Sequence, residues 1–286
     1  MSIASESSSP VNYTEPGNRL ANRVLSWLIA VKYRLSEPFL LAISRARYRR
    51  FYATGQVNPL VTIIVATYNR GRILTERTIP SILSQTYKNF ELLVIGDKCI
   101  DDTPLLIARL KDPRIRFYDL SKRGKYPSHP EARWFVQGVA PRNEGLRLAR
   151  GLWLSWISDD DVLLPDYLET LVKFAQEGDF EFVSASYTAE RNGKIVVHRP
   201  ADYTPPIGGM PTWLYRSYLN VFTWNINSWR KNWDRPCDYD LQKRMRRAGV
   251  AMGFVDKVVA HLPAVEGTST VGFAAQRTLT ARKLAP

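Results

Sequence analysis

The chain has 286 residues, 45% of them hydrophobic and 12% aromatic, which excludes a wholly disordered protein and leaves room for one large α/β domain with an appended segment. Its 40 Lys and Arg against 27 Asp and Glu give a formal net charge of +13, which favours nucleotide phosphates, anionic lipid or nucleic acid as partners. The two cysteines, Cys99 and Cys237, form no CxxC pattern, which excludes a disulfide framework or a cysteine zinc site and makes a reducing cytoplasm the expected compartment.

The amino-terminal part of the chain predicts two segments. Residues 1–17 are polar and contain proline and glycine, which predicts a disordered lead without the basic and apolar regions of a signal peptide. Residues 18–57 place apolar residues at helical spacing beside a side rich in Arg and Lys, and they predict a basic helical arm interrupted near Pro38. Its longest apolar run, Val24–Val31, is under half of the roughly 20 residues that a membrane span needs. Residues 18–50 therefore form either an interfacial anchor on an anionic membrane or a helix packed on the domain or on a second subunit.

Strands and helices alternate through the predicted main domain, residues 58–265. The predicted strands are Leu60–Thr67, Phe90–Ile95, Ile115–Tyr118, Leu152–Ser158, Phe182–Ser186 and Phe254–Val259, and Lys194–His198 is expected to form one side of a hairpin. The predicted helices are Ile73–Gln85, Thr103–Leu110, Asn143–Ala149, Tyr167–Gln176 and Asp238–Ala248. Such alternation indicates βαβ units and a parallel sheet. Residues 266–286 form a small, basic tail.

The centre of this domain is a strand that ends in three carboxylates. Leu152–Ser158 is apolar or hydroxylic throughout, as in a strand buried on both faces, and Asp159, Asp160 and Asp161 follow it. Open parallel sheets bind ligands at the carboxyl ends of their strands. A divalent cation would hold adjacent carboxylates ionised, and their hard oxygens suit Mg²⁺ or Mn²⁺. The alternative is a solvated acidic turn before the helix at Pro165.

Six separate segments, in chain order, carry a further pattern. They are Val61–Arg70 (VTIIVATYNR), Ser81–Asp97 (SILSQTYKNFELLVIGD), Asp101-Asp102-Thr103, Pro141–Gly151 (PRNEGLRLARG), Ser158–Asp161 with Pro165-Asp166, and Asp238–Leu241 with Arg244. Together they resemble family 2 glycosyltransferases with the GT-A fold, over roughly residues 61–261. The resemblance implies an α/β fold with a mainly parallel central sheet flanked by helices, a nucleotide-diphosphate sugar as donor, a divalent metal and, usually, inversion at the anomeric carbon.

The resemblance also implies which residues bind the donor. Thr67, Tyr68 and Arg70 lie in the first βα turn, where an aromatic ring and a cation suit a base and a phosphate. Asp97 matches the family aspartate that binds the base or the ribose. Arg142 stands where the family often places a cation against the donor, and its alternative is a surface helix arginine.

The metal and the general base follow from the same comparison. Asp159 and Asp160 match the metal-and-ribose pair, with Asp160 as the first choice for the direct ligand of a Lewis-acidic metal. His261 is a third metal candidate, and its alternative is a turn residue. Asp238 matches the carboxylate that takes the proton of the acceptor hydroxyl; it also suits a helix N-cap, and both can hold. Asp240 is the weaker candidate for the base.

Three departures from the family pattern stand out. Ser158 replaces the aspartate that commonly begins Asp-x-Asp, which shifts ribose and metal contacts onto Asp159 and Asp160. Cys237 replaces a glutamate that often precedes the base and removes an acceptor-positioning carboxylate. Residues 98–100, Lys-Cys-Ile, replace the usual Gly/Asn-Ser run, so the nucleotide preference stays open.

The sequence thus predicts a metal-dependent, inverting glycosyltransferase of the hexosyltransferase type, with a UDP-sugar as the first-choice donor and a polysaccharide or lipid-linked glycan as acceptor. We expect it in the cytoplasm, at the inner face of a membrane if the arm is an anchor. Acceptor choice is expected in residues 122–140 and in the tryptophan-rich residues 208–233. No pattern in the sequence predicts the oligomeric state.

Two rival functions remain. A sugar nucleotidyltransferase would carry a Gly-rich phosphate loop where residues 66–68 read Ala-Thr-Tyr. A non-catalytic protein that binds a nucleotide or nucleic acid, such as a degenerate transferase, is the other. Nucleic acid is not expected, because the basic residues concentrate in the arm and in residues 122–133 while carboxylates, which repel phosphate backbones, group at the centre.

Overall fold

The computed structural model describes residues 19–53, 57–191, 193–200, 206–231 and 236–264. The predicted lead, residues 1–17, and the predicted tail, residues 266–286, lie outside the described residues. The strands are β1 Val61–Thr67, β2 Phe90–Gly96, β3 Ile115–Asp119, β4 Trp153–Ser158, β5 Val162–Leu163, β6 Phe182–Arg191, β7 Lys194–His198, β8 Leu214–Arg216 and β9 Met252–Leu262. The α-helices are α1 Arg19–Ala53, α2 Gly71–Ile73, α3 Ile79–Leu83, α4 Thr103–Ala108, α5 Pro130–Trp134, α6 Val139–Leu148, α7 Tyr167–Glu177 and α8 Cys237–Arg247. A π-helical turn, Leu74–Thr78, joins α2 to α3.

The strands form one mixed sheet in the order β3-β2-β1-β4-β8-β6-β9-β5, and β7 pairs with β6. Strands β3, β2, β1 and β4 are parallel to each other. Strand β8 lies between β4 and β6 and is antiparallel to both, and β6 and β9 are parallel to each other. Thr67 pairs with Gly96, and Ala66 pairs with Ser158. The carboxyl ends of β1, β2 and β4 therefore meet at one edge, where α/β sheets bind ligands.

The sheet is buried on both faces. Alternate residues of β1 enter different cores: Ile64 belongs to one apolar cluster, while Ile63 and Val65 belong to the other, as the period of two in a strand requires. The first cluster also contains Trp213, Trp224 and Trp229, which are 1%, 2% and 6% exposed. These rings of the tryptophan-rich segment are core residues, so they offer little surface to an acceptor.

The predicted interruption of the arm at Pro38 is wrong, because α1 runs through it as a helix of 35 residues. A proline inside a helix removes one backbone hydrogen bond, but tertiary contacts on both sides hold this helix. The buried Glu37 accepts a hydrogen bond from Arg244, and Arg45 donates to Glu181 at 2.7 Å. The prediction that the arm is helical is confirmed.

Two further elements differ from the predicted pattern. Strand β9 pairs with β6 as far as Leu262, so His261 lies inside a strand and is not a turn residue. The 122–140 segment contains the short helix α5 and the start of α6. Within the described residues, no helix combines the length and the apolar character needed to cross a bilayer.

Candidate active site

A cluster of carboxylates lies at the carboxyl end of β4 and is bound to the end of β1. Thr67 donates a hydrogen bond from Oγ1 to Asp159 Oδ2 at 2.7 Å. The guanidinium of Arg70 bridges two carboxylates, with Nη2 2.9 Å from Asp160 Oδ2 and Nη1 3.4 Å from Asp159 Oδ1. The structure thus brings together four of the residues predicted to bind the donor or the metal.

The turn that carries these carboxylates is held by the helical segment after β1. Thr78, in the π-helical turn, donates to the carbonyl oxygen of Asp161 at 2.8 Å, and Arg77 lies 3.5 Å from the carbonyl oxygen of Asp160. The Asp161 amide closes the turn on the Ser158 carbonyl oxygen at 3.4 Å. Single π-turns occur often at functional sites, and this one holds the backbone of the acidic turn.

The acidic turn is desolvated and short of positive charge. Burial raises the pKa of Asp159 to about 6, against the opposing effect of Arg70, with the neighbouring Asp160 raising it further. Burial and Asp160 raise the pKa of Asp161 well above its ordinary value. Asp159 and Asp161 are 8% and 6% exposed, so the turn is not the solvated acidic turn of the alternative interpretation. An additional cation would relieve this repulsion, and the oxygen ligands suit a hard divalent ion.

A second group of residues lies at the end of β2. The Asp97 carboxylate is 3% exposed and accepts a hydrogen bond from the Gly124 amide at 2.9 Å. The Arg123 guanidinium lies 4.0 Å from Asp97 and stacks over the Tyr68 ring, 3.5 Å from its centroid. Burial and the nearby Asp97 raise the pKa of Tyr126. Residues 123–126 therefore fold over Asp97 and Tyr68, a pair that the sequence predicted to bind the nucleoside.

The turns that place Tyr68 and Asp97 are unusual in backbone conformation. Asn69 and Lys98 adopt left-handed φ angles of 53° and 59°, which asparagine tolerates better than most residues. The Asn69 side chain accepts a hydrogen bond from the Ile100 amide at 2.9 Å, so the two turns hold each other. At Gly96, a Cβ would lie 2.2 Å from Asp119 Oδ1, which explains the glycine before Asp97.

A third group joins α6 to the start of α8. The Arg142 guanidinium carbon lies 4.9 Å from the Trp224 ring centroid, and Nη1 lies 3.6 Å from Cys237 Sγ. Arg142 is therefore half-buried against a core tryptophan, unlike the surface helix arginine of the alternative interpretation. The Cys237 amide donates to the Phe135 carbonyl oxygen at 2.9 Å, which fixes the helix start. Burial raises the pKa of the Cys237 thiol to about 12.

Asp238 lies in the first turn of α8 but does not cap it. Pro236 occupies the N-cap position, so the N-cap interpretation of Asp238 is wrong. Desolvation raises the pKa of the Asp238 carboxyl, although the Tyr239 amide and the charge of Arg142 oppose the shift. A carboxyl with a raised pKa, for which the described residues provide no ion pair, is suited to accept a proton.

Asp240, the weaker candidate for the base, is a structural ion. It is 1% exposed and pairs with Arg244 at 2.8 Å and with Lys231. Arg244 in turn bonds Glu37 of α1 and the Thr223 carbonyl oxygen. This buried network connects the arm to the helix that carries Asp238, and sequence reasoning did not anticipate it.

His261 lies beside the acidic turn but in a different group. It pairs with Val162 across β9 and β5, one residue beyond Asp161, and its Nδ1 lies 2.9 Å from Thr188 Oγ1. In the part of the chain that the structure describes, no three His, Cys, Asp or Glu side chains are arranged as a metal site. The structure thus brings Asp159 and Asp160 together and places His261 on the neighbouring strand, bound to Thr188.

Comparisons with known proteins identify the family of this chain. The sequence model of glycosyl transferase family 2 matches residues 62–232. The GalNAc(5)-diNAcBac-PP-undecaprenol beta-1,3-glucosyltransferase of Campylobacter jejuni is 32% identical over 139 residues, which cover 48% of this chain and 41% of that protein. The chain spans less than two thirds of the length of the curated relatives it matches.

Two solved structures share the fold. Staphylococcus aureus TarS in complex with UDP-GlcNAc superposes with a TM-score of 0.57 at 18% identity, covering 78% of this chain and 66% of that one. The mannosyltransferase PcManGT of Pyrobaculum calidifontis, in complex with GDP-Man and Mn²⁺, also gives 0.57 at 18% identity, covering 93% and 74%. The predicted GT-A-like architecture is therefore confirmed. Since the family match spans more than half of its 286 residues, this chain belongs to glycosyl transferase family 2.

Proposed function

We propose that this chain transfers a sugar from a nucleoside-diphosphate donor, UDP-sugar first, to a hydroxyl of a polysaccharide or lipid-linked glycan. The observation that carries the proposal is the meeting of Thr67, Arg70, Asp97, Asp159 and Asp160 at one sheet edge. The Campylobacter relative is named for a beta-1,3-glucosyl transfer to an undecaprenol-linked acceptor, and the TarS complex contains UDP-GlcNAc. The first supports a lipid-linked glycan acceptor, and the second supports a nucleotide-sugar donor.

The donor nucleoside is assigned to the group at the end of β2. The Tyr68 ring and the Arg123 guanidinium stacked on it offer a flat, cationic surface for a base. The buried Asp97 carboxylate is an acceptor for an imide N–H or a ribose hydroxyl. Arg70 and Arg142 are the cations proposed to face the diphosphate and the sugar.

A divalent cation, Mg²⁺ or Mn²⁺, fits the acidic turn. The proposed ligands are Asp160, with Asp159 beside it, and His261 from the neighbouring strand. Proteins usually hold Mg²⁺ by one or two carboxylates together with substrate phosphates, so a site without three grouped protein ligands suits it. The bound ion would supply Lewis acidity for the departing nucleotide diphosphate. The desolvated carboxyls of Asp159 and Asp161 support this assignment, because burial raises the pKa of both even though Arg70 opposes the shift.

Asp238 is proposed as the general base of an inverting transfer. Its carboxylate would accept the proton of the attacking acceptor hydroxyl, which makes that oxygen a better nucleophile. The contact of Arg142 with Cys237 supports this proposal, because it joins a cation proposed to face the donor to the residue before Asp238. We assign residues 58–265 to the transferase domain and expect it to act in the cytoplasm.

The deciding experiment is calorimetric binding of UDP, GDP and dTDP, with and without Mn²⁺, to the wild type and to Asp160→Asn. Tight binding of one nucleotide that needs both Mn²⁺ and Asp160 supports the proposal. Asp256→Asn is the control, because this exposed carboxylate bonds Arg199 and Ser186, neither of which belongs to the proposed site, and its loss should leave nucleotide binding unchanged. Absence of binding under every condition would contradict the donor site, and binding without sugar transfer would favour the degenerate transferase.

A further inference from the structure

The face of α1 that points away from the domain is apolar. Six large side chains at helical spacing lie more than a third exposed on it: Val24, Trp27, Leu28, Leu35, Phe39 and Ile43. Trp27, Leu35 and Phe39 are 64%, 75% and 67% exposed. Spacings of three, four, seven and eight residues place these positions in one stripe along the helix. We call these six residues the outer stripe.

The opposite face of α1 is fixed on the domain. Asn22, Glu37 and Leu41 are buried there, and Asn22 and Glu37 bond Arg230 and Arg244 of the domain. The helix cannot turn the outer stripe inward without breaking these buried polar contacts, which would leave charges unpaired in the interior. A small rotation of α1 therefore cannot bury the outer stripe against the domain.

The charges around the outer stripe are of one sign. The arm Arg19–Ala53 contains seven arginines and one lysine, and its single acidic residue, Glu37, is buried on the domain side. The exposed basic residues include Arg23, Lys32, Arg34, Arg47 and Arg50. Long basic side chains beside an apolar stripe can extend to anionic headgroups while their stems cover apolar surface.

We propose that the outer stripe docks in the plane of an anionic lipid bilayer, with α1 lying along the surface. Exposed apolar side chains enter the boundary between headgroups and acyl chains, and the flanking cations pair with anionic headgroups. A second copy is the less suitable occupant, because antiparallel or parallel contact of two such faces would bring their basic residues together without counter-charges. The proposal does not depend on the proposed transfer reaction, because it concerns binding alone.

The test is co-sedimentation of the full-length protein with vesicles of phosphatidylcholine alone or mixed with phosphatidylglycerol. We expect binding to the mixed vesicles, weaker binding to phosphatidylcholine, and release as salt is raised. The double variant Leu28→Glu/Leu35→Glu should weaken binding by about tenfold or more, since it removes two large apolar groups from the contact. Both side chains are exposed, so the fold should be preserved.

The matched control is Leu105→Glu in α4, where the same change is made at a leucine that is 64% exposed and lies outside the outer stripe. It should bind the mixed vesicles as the wild type does. The proposal is overturned if the wild type stays in the supernatant with both vesicles or if the double variant sediments unchanged. It is equally overturned if light scattering shows a dimer that Leu28→Glu/Leu35→Glu dissociates, in the absence of any vesicle binding. Nucleotide calorimetry on the same samples reports separately on the proposed donor site.

Discussion

At the scale of single residues, two carboxyls of α8 differ in the direction of their pKa shifts because their surroundings differ. Asp240 is paired with Arg244 and Lys231, and its pKa is lowered even though burial acts in the opposite direction. Two positions earlier on the same helix, Asp238 has a raised pKa, and no ion pair joins it to another described residue. The same residue type therefore serves a structural role at one position and is available for proton transfer at the other.

Asp238→Asn should abolish sugar transfer while UDP binding persists. An amide cannot accept the hydroxyl proton, and loss of a general base commonly costs about 10²–10⁴-fold in rate. The measurements are the rate of UDP release in the presence of acceptor and the calorimetric Kd for UDP. In the wild type, the rate should rise with pH through a pKa above the ordinary 3.8 of aspartate, because only the deprotonated base is active. A variant with the full wild-type rate would place the base elsewhere.

Arg123→Ala should weaken nucleotide binding by about two- to fivefold, the range expected for a cation–π contact of an exposed arginine. The change removes the cation that stacks on Tyr68 and faces Asp97. Lys122→Ala, in the same loop, is the control, because this exposed lysine forms no ion pair or ring contact with the residues that the structure describes. Calorimetry with the nucleotide that the wild type prefers distinguishes the two. Equal losses in both variants would indicate a general charge effect and contradict a specific role for Arg123.

At the scale of elements, the alternating pattern predicted β1, β2 and β4 within one residue of their observed bounds. Runs of β-branched and apolar residues mark buried strands with little ambiguity. The family resemblance assigned Thr67, Asp97 and Asp159 to the donor site, and the structure brings them to one sheet edge, where the carboxyl ends of β1, β2 and β4 meet. The sequence could not place Arg123 over Tyr68, because no periodic signal tells where a loop folds back.

Long-range ion pairs are the other feature that sequence patterns do not contain. Glu37 and Arg244 are 207 positions apart, and nothing in either local sequence indicates a partner. The same contacts explain why Pro38 does not break α1: propensity is a local preference, and tertiary packing on both sides of the proline overrides it. The extension of β9 past His261 has the same cause, since pairing with β6 continues to Leu262.

Arg244→Met should destabilise the fold by about 3–5 kcal/mol, because it leaves Glu37 and Asp240 as buried carboxylates with too few cations. Desolvation already raises the pKa of Glu37, against the effect of Arg244, so this carboxyl depends strongly on its partner. The measurement is urea unfolding at neutral pH. Lys173→Met, which removes an exposed 3.9 Å pair with Glu177, is the control and should change stability by less than about 1 kcal/mol. Similar losses in the two variants would contradict the importance of the buried network.

At the scale of the whole molecule, two buried carboxylates tie distant parts of the sheet together. Glu91 accepts hydrogen bonds from Thr62 on β1 at 2.7 Å and from Arg116 on β3 at 2.9 Å. Glu181 accepts from Arg45 of the arm and from Tyr218, and the Ala251 amide before β9 donates to it at 2.8 Å. For both residues burial acts to raise the pKa, but these bonds outweigh it and the pKa is lowered. The protein is therefore stabilised by keeping both groups ionised.

The folded protein should lose this stability in acid. A carboxyl whose pKa is lower in the folded state than its ordinary 4.5 stabilises the fold above that pH, and the contribution disappears as the pH falls through the folded value. Glu181→Gln should therefore cost about 1.5–3 kcal/mol at neutral pH, the range for a charged hydrogen-bond partner. The difference between wild type and variant should shrink as the pH falls below 4.5 and through the lowered pKa of the folded state, because the wild-type carboxyl then becomes protonated in both states. Urea unfolding at several pH values measures it, with the exposed Glu177→Gln as control. A difference in unfolding free energy between wild type and Glu181→Gln that stays constant with pH would mean that Glu181 contributes by packing and not by its charge.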